Sequence, residues 1–155
     1  MRHHTFRLHL QSGPHTPAEG VRPGALARRH EISTAGKPTL QGSAATMFHG
    51  EADRWNPEEL LIAALAQCHY LSFVYVASTE NVDILAYECD ASGTLEWNQD
   101  GSGQMTEVVL EPVVTVRADA VDRMDALHER AHELCFIARS VSCTVTVKPR
   151  AIAVS

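Results

Sequence analysis

The segment from Leu60 to Ser78 constrains this chain most, because its apolar residues fall on nearly every side of a helix. Its start is well marked. Asn56 is a capping residue, Pro57 suits the first helical position, and Glu58 and Glu59 complement the positive end of the helix dipole. A surface helix shows one apolar and one polar stripe. This one lacks the polar stripe and is therefore expected to be buried all round. A membrane span needs about 20 apolar residues. The run is shorter and is interrupted by Gln67, Cys68 and His69, so a core helix is expected and no membrane partner.

The flanking sequence reads as strands. Thr5 to Gln11 puts Phe6, Leu8 and Leu10 on one side and Arg7 and His9 on the other, as a half-buried strand does. Ser12 to Gly24 carries three Gly and three Pro and reads as a loop. Ala25 to Ser33 can be extended again. Thr34 to Trp55 is polar and irregular, long enough to act as a lid or wrap. After the helix, Ile84 to Trp97, Met105 to Ala118 and Cys143 to Val154 alternate with a period of two and are rich in β-branched residues. Gly101 to Gly103 marks a turn. Pro112 is expected at a bulge or an edge, because it has no N–H for a ladder. Val121, Met124, Leu127, Ala131 and Leu134 recur at helical spacing, giving a second helix over about Val121 to Cys135. The fold class is α+β, in a single domain over residues 1–155. So few strands cannot enclose an all-apolar helix, so a second subunit is expected to cover its far side and make a dimer.

Charge and cysteine content narrow the function. The net charge is −6 and the 13 Lys and Arg are scattered, so no basic stripe matches a phosphate backbone and nucleic acid is excluded as a partner. The opening MRHHTFRLHLQS has no secretory apolar run, which points to a cytoplasmic location. The four cysteines contain no CxxC pair and are few for a disulfide scaffold. A functional thiol fits better.

Cys68, in the middle of the first helix, is read either as a core residue or as a nucleophile. Cys135 closes the second helix, so that helix end meeting the middle of the first would make a dithiol site. Only a thiolate attacks, and the carboxyl end of a helix opposes ionisation, so Cys135 is assigned as resolver. Cys68 is too deep in its helix for dipole help and needs a cation to lower its pKa. Arg28 is the candidate, with Arg29 and Arg22 as alternatives. Glu58 either holds that arginine through a bidentate carboxylate pair or only complements the dipole. Ten residues separate Glu58 from Cys68, roughly 15 Å of helix. If both serve one site, Glu58 and its arginine come from the other subunit.

The runs Asn-Pro-Glu-Glu-Leu-Leu at 56–61, Ala-Gln-Cys-His at 66–69 and Ala-His-Glu-Leu-Cys at 131–135 resemble the OsmC/Ohr family of osmotically inducible and organic hydroperoxide resistance proteins. The resemblance covers nearly the whole chain. It implies antiparallel sheets wrapped around long central helices in an intertwined homodimer. It implies that Glu58, Cys68 and Cys135 take the family's glutamate, attacking and resolving positions, and that an arginine comes from the early strand-loop region. One departure is that Phe136 and Ile137 follow Cys135, where many members carry proline. The implied activity is reduction of organic hydroperoxides through a Cys68 sulfenic acid and a Cys68–Cys135 disulfide, in defence against oxidative stress. No metal or organic cofactor is required. An external dithiol, a lipoyl group or a thioredoxin-like protein, would regenerate the thiols.

Two other readings remain. His128, Glu129 and His132 spell a formal HExxH zinc-protease pattern, but it has no evident third ligand, and Glu129 falls opposite the apolar stripe. A non-catalytic stress or ligand-binding protein of the same fold is the stronger rival, since fold does not fix function. His69, Cys89 and Cys143 are read as structural.

Overall fold

The structure, a computed structural model, describes residues 3–13 and 28–154. The chain packs as two compact units, Met1–Leu60 and Leu61–Ser155.

In the first unit, β1 (His9–Gln11), β2 (His30–Ser33) and β3 (Leu40–Gly42) form an antiparallel sheet in that order. Strand β3 lies in the stretch expected to be irregular. Its pairing is carried by polar side chains: Glu31 sits opposite both Gln11 and Gln41 and accepts from their amides at 3.1 and 3.0 Å. A search for apolar alternation does not register such a ladder. Trp55 closes onto β3, with Ser43 N–H donating to the Trp55 carbonyl at 2.9 Å and Trp55 N–H to that of Gln41 at 3.1 Å. Gly42 is needed there, because a Cβ would sit 2.2 Å from His30 Nε2. Helix α1 (Pro57–Thr79) then starts on a reciprocal cap. Asn56 Oδ1 accepts from Glu59 N–H at 2.8 Å, and Glu59 Oε2 accepts from Asn56 N–H at 3.3 Å.

The second unit is built on the long antiparallel pair β4 (Ala86–Trp97) and β5 (Gly103–Arg117), with a bulge at Thr94/Leu95. The free edge of β5 carries two short parallel strands in succession, β6 (Thr144–Val147) and β7 (Arg150–Val154), so the expected last strand is broken at Lys148 and Pro149. Pro112 is neither at the bulge nor on an edge strand. It sits between the Leu110–Val147 and Val113–Arg150 pairings, where the neighbour changes from β6 to β7 and a missing N–H interrupts no ladder on that side. Val108, Leu110, Pro112, Val114 and Val116 are all buried, the period-two face of β5. Gly93 on β4 lets α1 approach closely, since a Cβ there would stand 2.9 Å from Ile62 Cδ1.

Helix α1 turns Leu65, His69, Phe73, Val76 and Ala77 into this unit. A 3-10 segment, Ala118–Arg123, leads into α2 (Met124–Leu134), which packs Met124, Leu127 and Ala131 onto Phe73, Val114 and Val116. The expectation that α1 is buried all round is not met within one chain. Leu71 is 58% exposed and Tyr75 62%. By length and composition alone α1 could cross a membrane. Its inward face nonetheless packs into the core as the central helix of a folded domain does.

Candidate active site

Cys68 lies half-buried in the middle of α1, just beyond the buried Leu65, and Cys135 is buried at the residue that ends α2. The polypeptide leaves the helix there in extended conformation, with φ −71° and ψ 104°. It then turns back so that Ala138 N–H donates to Cys135 Sγ at 3.5 Å. The Cys68 thiol is near enough to Cys135 to raise its pKa, and both are free thiols. Two thiols separated by 67 positions in sequence are thus brought into one neighbourhood as the end of one helix approaches the middle of another.

Burial pushes the Cys135 thiol up to about 11; the Ala138 N–H opposes this and the Cys68 thiol adds to it. Cys135 is therefore protonated at neutral pH, the direction expected from its helix end, although burial and not the dipole is the largest cause. An apolar groove of about 640 Å³ opens at Cys68, lined by Ala64, Gln67, Cys68, Leu71, Ser72, Tyr75, Leu134, Phe136 and Ile137, with Cys135 itself behind the wall that its neighbours make. Phe136, directly after Cys135, is 77% exposed and forms one wall.

The other expected site residues belong to the first unit. Glu58 is in the first turn of α1, and its Oε2 is buried with no hydrogen-bond partner among the described residues. Arg28 is half-buried, two residues ahead of β2, and its carbonyl accepts from His30 Nδ1 at 3.0 Å. Arg29 is held by Glu51 at 2.7 Å, which also binds Arg54 at 3.0 Å. Arg22 lies outside the described residues.

A family model described as OsmC-like protein matches residues 50–150. The chain belongs to this family. Comparison with curated proteins gave no match. Among solved structures, an OsmC-like protein of unknown function from Vibrio cholerae is 27% identical with a TM-score of 0.81, over 92% of this chain and 97% of that one. An organic hydroperoxide resistance protein OsmC from Legionella pneumophila is 19% identical with a TM-score of 0.69, over 96% and 98%. The organic hydroperoxide resistance protein OhrB of Bacillus subtilis is 20% identical with a TM-score of 0.62, over 96% and 98%. The α+β fold of this OsmC-like chain is that of these proteins.

Beside the dithiol, sequence reasoning missed a buried pair of imidazoles. His69 and His128 meet with Nε2 and Nδ1 2.9 Å apart, and both rings are almost fully buried. The signal was present. His69 follows the Leu65 stripe by one turn, and His128 directly follows Leu127, so each lies on or beside the buried face of its helix. Burial lowers both from 6.5 to about 4, with His132 adding to the effect on His69 and His69 to that on His128.

The pair is neutral when folded, whereas in the unfolded chain it binds protons below pH 6.5. Its contribution to stability is therefore complete above pH 6.5 and is lost as pH falls toward 4. The loss at pH 4 is about 3 kcal/mol for one ring, on the rule that a tenfold change in protonation is about 1.4 kcal/mol. Urea unfolding between pH 7.5 and 4 is expected to show this slope. A His128→Gln variant, which cannot titrate there, is expected to flatten it; equal slopes would contradict the assignment.

Proposed function

We propose that this OsmC-like chain is a cysteine-based peroxidase that reduces organic hydroperoxides to alcohols in the cytoplasm, as a defence against oxidative stress. The observation that carries this reading is the Cys68 thiol at the wall of an apolar groove with the Cys135 thiol near enough to interact with it. Such a groove suits the organic part of a hydroperoxide better than it suits hydrogen peroxide.

In the proposed cycle the Cys68 thiolate attacks the distal peroxide oxygen. The O–O bond breaks, and the alkoxide takes a proton and leaves as an alcohol, with Cys68 oxidised to the sulfenic acid. The Cys135 sulfur then attacks the Cys68 sulfur. Hydroxide departs as water with the Cys135 proton, and a disulfide remains. Protonation of Cys135 suits this role, since it keeps the resolving thiol from competing for the peroxide. An external dithiol, a lipoyl group or a thioredoxin-like protein, reduces the disulfide by exchange.

Activation of Cys68 is assigned to Arg28 and Glu58 of a second subunit, the carboxylate holding the guanidinium. The buried, unpartnered Glu58 Oε2 supports this, because a carboxylate oxygen withdrawn from water calls for a cation. The exposed apolar face of α1, with Leu71 and Tyr75, supports a homodimer that covers it. The test is consumption of cumene hydroperoxide by the reduced protein with dihydrolipoamide as donor. Sustained turnover well above the protein-free rate is expected. A rate equal to background would favour the non-catalytic, ligand-binding reading.

A further inference from the structure

Helix α1 brings to the groove a hydroxyl that the dithiol chemistry does not use. Ala64, Cys68, Ser72 and Tyr75 fall at i, i+4, i+8 and i+11, so they share one side of α1, and all four line the groove. Ser72 is half-buried there. A serine inside a helix ordinarily bonds back to the carbonyl four residues earlier, here that of Cys68. Among the described residues the Ser72 hydroxyl makes no such bond and has no other partner. Gln67 also lines the groove, but it directly precedes Cys68, and adjacent helical residues do not face one another.

The shape of the groove sets which way a hydroperoxide lies. From Ala64 to Tyr75 the groove follows α1 for roughly 16 Å, and Cys68 divides it unequally, about 6 Å on the Ala64 side and about 10 Å on the Tyr75 side. Leu71 and Tyr75 make the longer limb apolar. An organic group laid along that limb directs the O–O bond from the Cys68 sulfur toward Ser72. In a near-attack arrangement the distal oxygen stands about 3–3.5 Å from the sulfur. The leaving oxygen is one bond further on, over the next turn of the helix, which is the turn that carries Ser72.

We propose, on the basis of the peroxidase reading above, that Ser72 is a further catalytic residue whose hydroxyl donates a hydrogen bond to the leaving oxygen of an alkyl hydroperoxide. As the S–O bond forms, the O–O bond breaks and its electron pair goes to that oxygen. The sulfur is oxidised, the peroxide is reduced, and the alkoxide takes its proton from water, with the serine unchanged. The assistance matters because an alkoxide is about as basic as hydroxide, and water ionises only at about 16. A donor aimed at charge that develops during the reaction lowers the barrier and adds little to binding of the uncharged substrate.

The test compares Ser72→Ala with the unaltered chain in the first oxidation of Cys68, followed by stopped-flow mixing, with two aryl oxidants. Cumene hydroperoxide releases an alkoxide. Perbenzoic acid releases a carboxylate, whose acid ionises at about 4, so its departure needs little help. Alanine is the best helix former, so α1 is retained. The variant is expected to be slower with cumene hydroperoxide by about tenfold or more and with perbenzoic acid by less than about threefold, the first figure below the loss for an enclosed oxyanion donor because Ser72 is only half-buried. Equal slowing with both oxidants would place the hydroxyl on the thiolate or in packing, and unchanged rates with both would leave it no part in the reaction; either result overturns the role. An unaltered chain that reacted with neither oxidant would overturn the peroxidase reading itself.

Discussion

Cys68→Ser is expected to abolish dithiol-dependent hydroperoxide consumption, with a loss of roughly 10⁴-fold or more, the scale of removing a nucleophile that works as part of a unit. Serine keeps the volume and place of the thiol in α1, and Cys68 is only half-buried, so the fold should be retained. The hydroxyl cannot stand in, because its oxygen is not ionised at neutral pH and forms no sulfenic acid. The comparison is the initial rate of cumene hydroperoxide loss for the variant and the unaltered chain, with circular dichroism confirming equal folding. A variant retaining more than a few per cent of the rate would remove Cys68 from the mechanism.

Cys135→Ser is expected to separate the two half-reactions. The first oxidation of Cys68 should proceed at close to the unaltered rate and consume one equivalent of peroxide per chain. Steady-state turnover with a dithiol should fall on the order of 100-fold, since the sulfenic acid then has no neighbouring thiol with which to condense. Stopped-flow mixing reads the first phase, and trapping with dimedone identifies the modified residue as Cys68. A small destabilisation is also expected, because Cys135 is 1% exposed and accepts from Ala138 N–H. If the first phase disappeared with the second, Cys135 would be acting on the peroxide itself and the roles assigned here would be reversed.

Much of the architecture was legible because it rests on local rules. The Asn56–Glu59 cap, the helix through Cys68, the alternation of Val108 to Val116 and the stripe of Met124, Leu127 and Ala131 all reappear as elements or core faces. Strand β3 was not legible, because a Gln-Glu-Gln ladder leaves no apolar period. The division of the last strand into β6 and β7 was not legible either, since it depends on how two segments share one edge of β5.

The site divides in the same way. Candidate thiols can be chosen from helix positions, but their approach depends on the turn-back after Leu134, which no local pattern encodes. The family resemblance supplied that pairing in advance of geometry. The imidazole pair of His69 and His128 was not legible, because His69 alone reads as a core residue and His128 as one member of the HExxH pattern. Their mutual hydrogen bond follows only from the packing of α1 on α2.

The central claim is that Cys68 and Cys135 form one redox unit within a chain. The most direct test adds one equivalent of cumene hydroperoxide to the reduced protein, blocks free thiols, digests without reductant and identifies the cross-linked peptides by mass. The expected product joins the Cys68 and Cys135 peptides, with Cys89 and Cys143 alkylated. A disulfide through Cys89 or Cys143, or oxidation with no link between Cys68 and Cys135, would contradict the account.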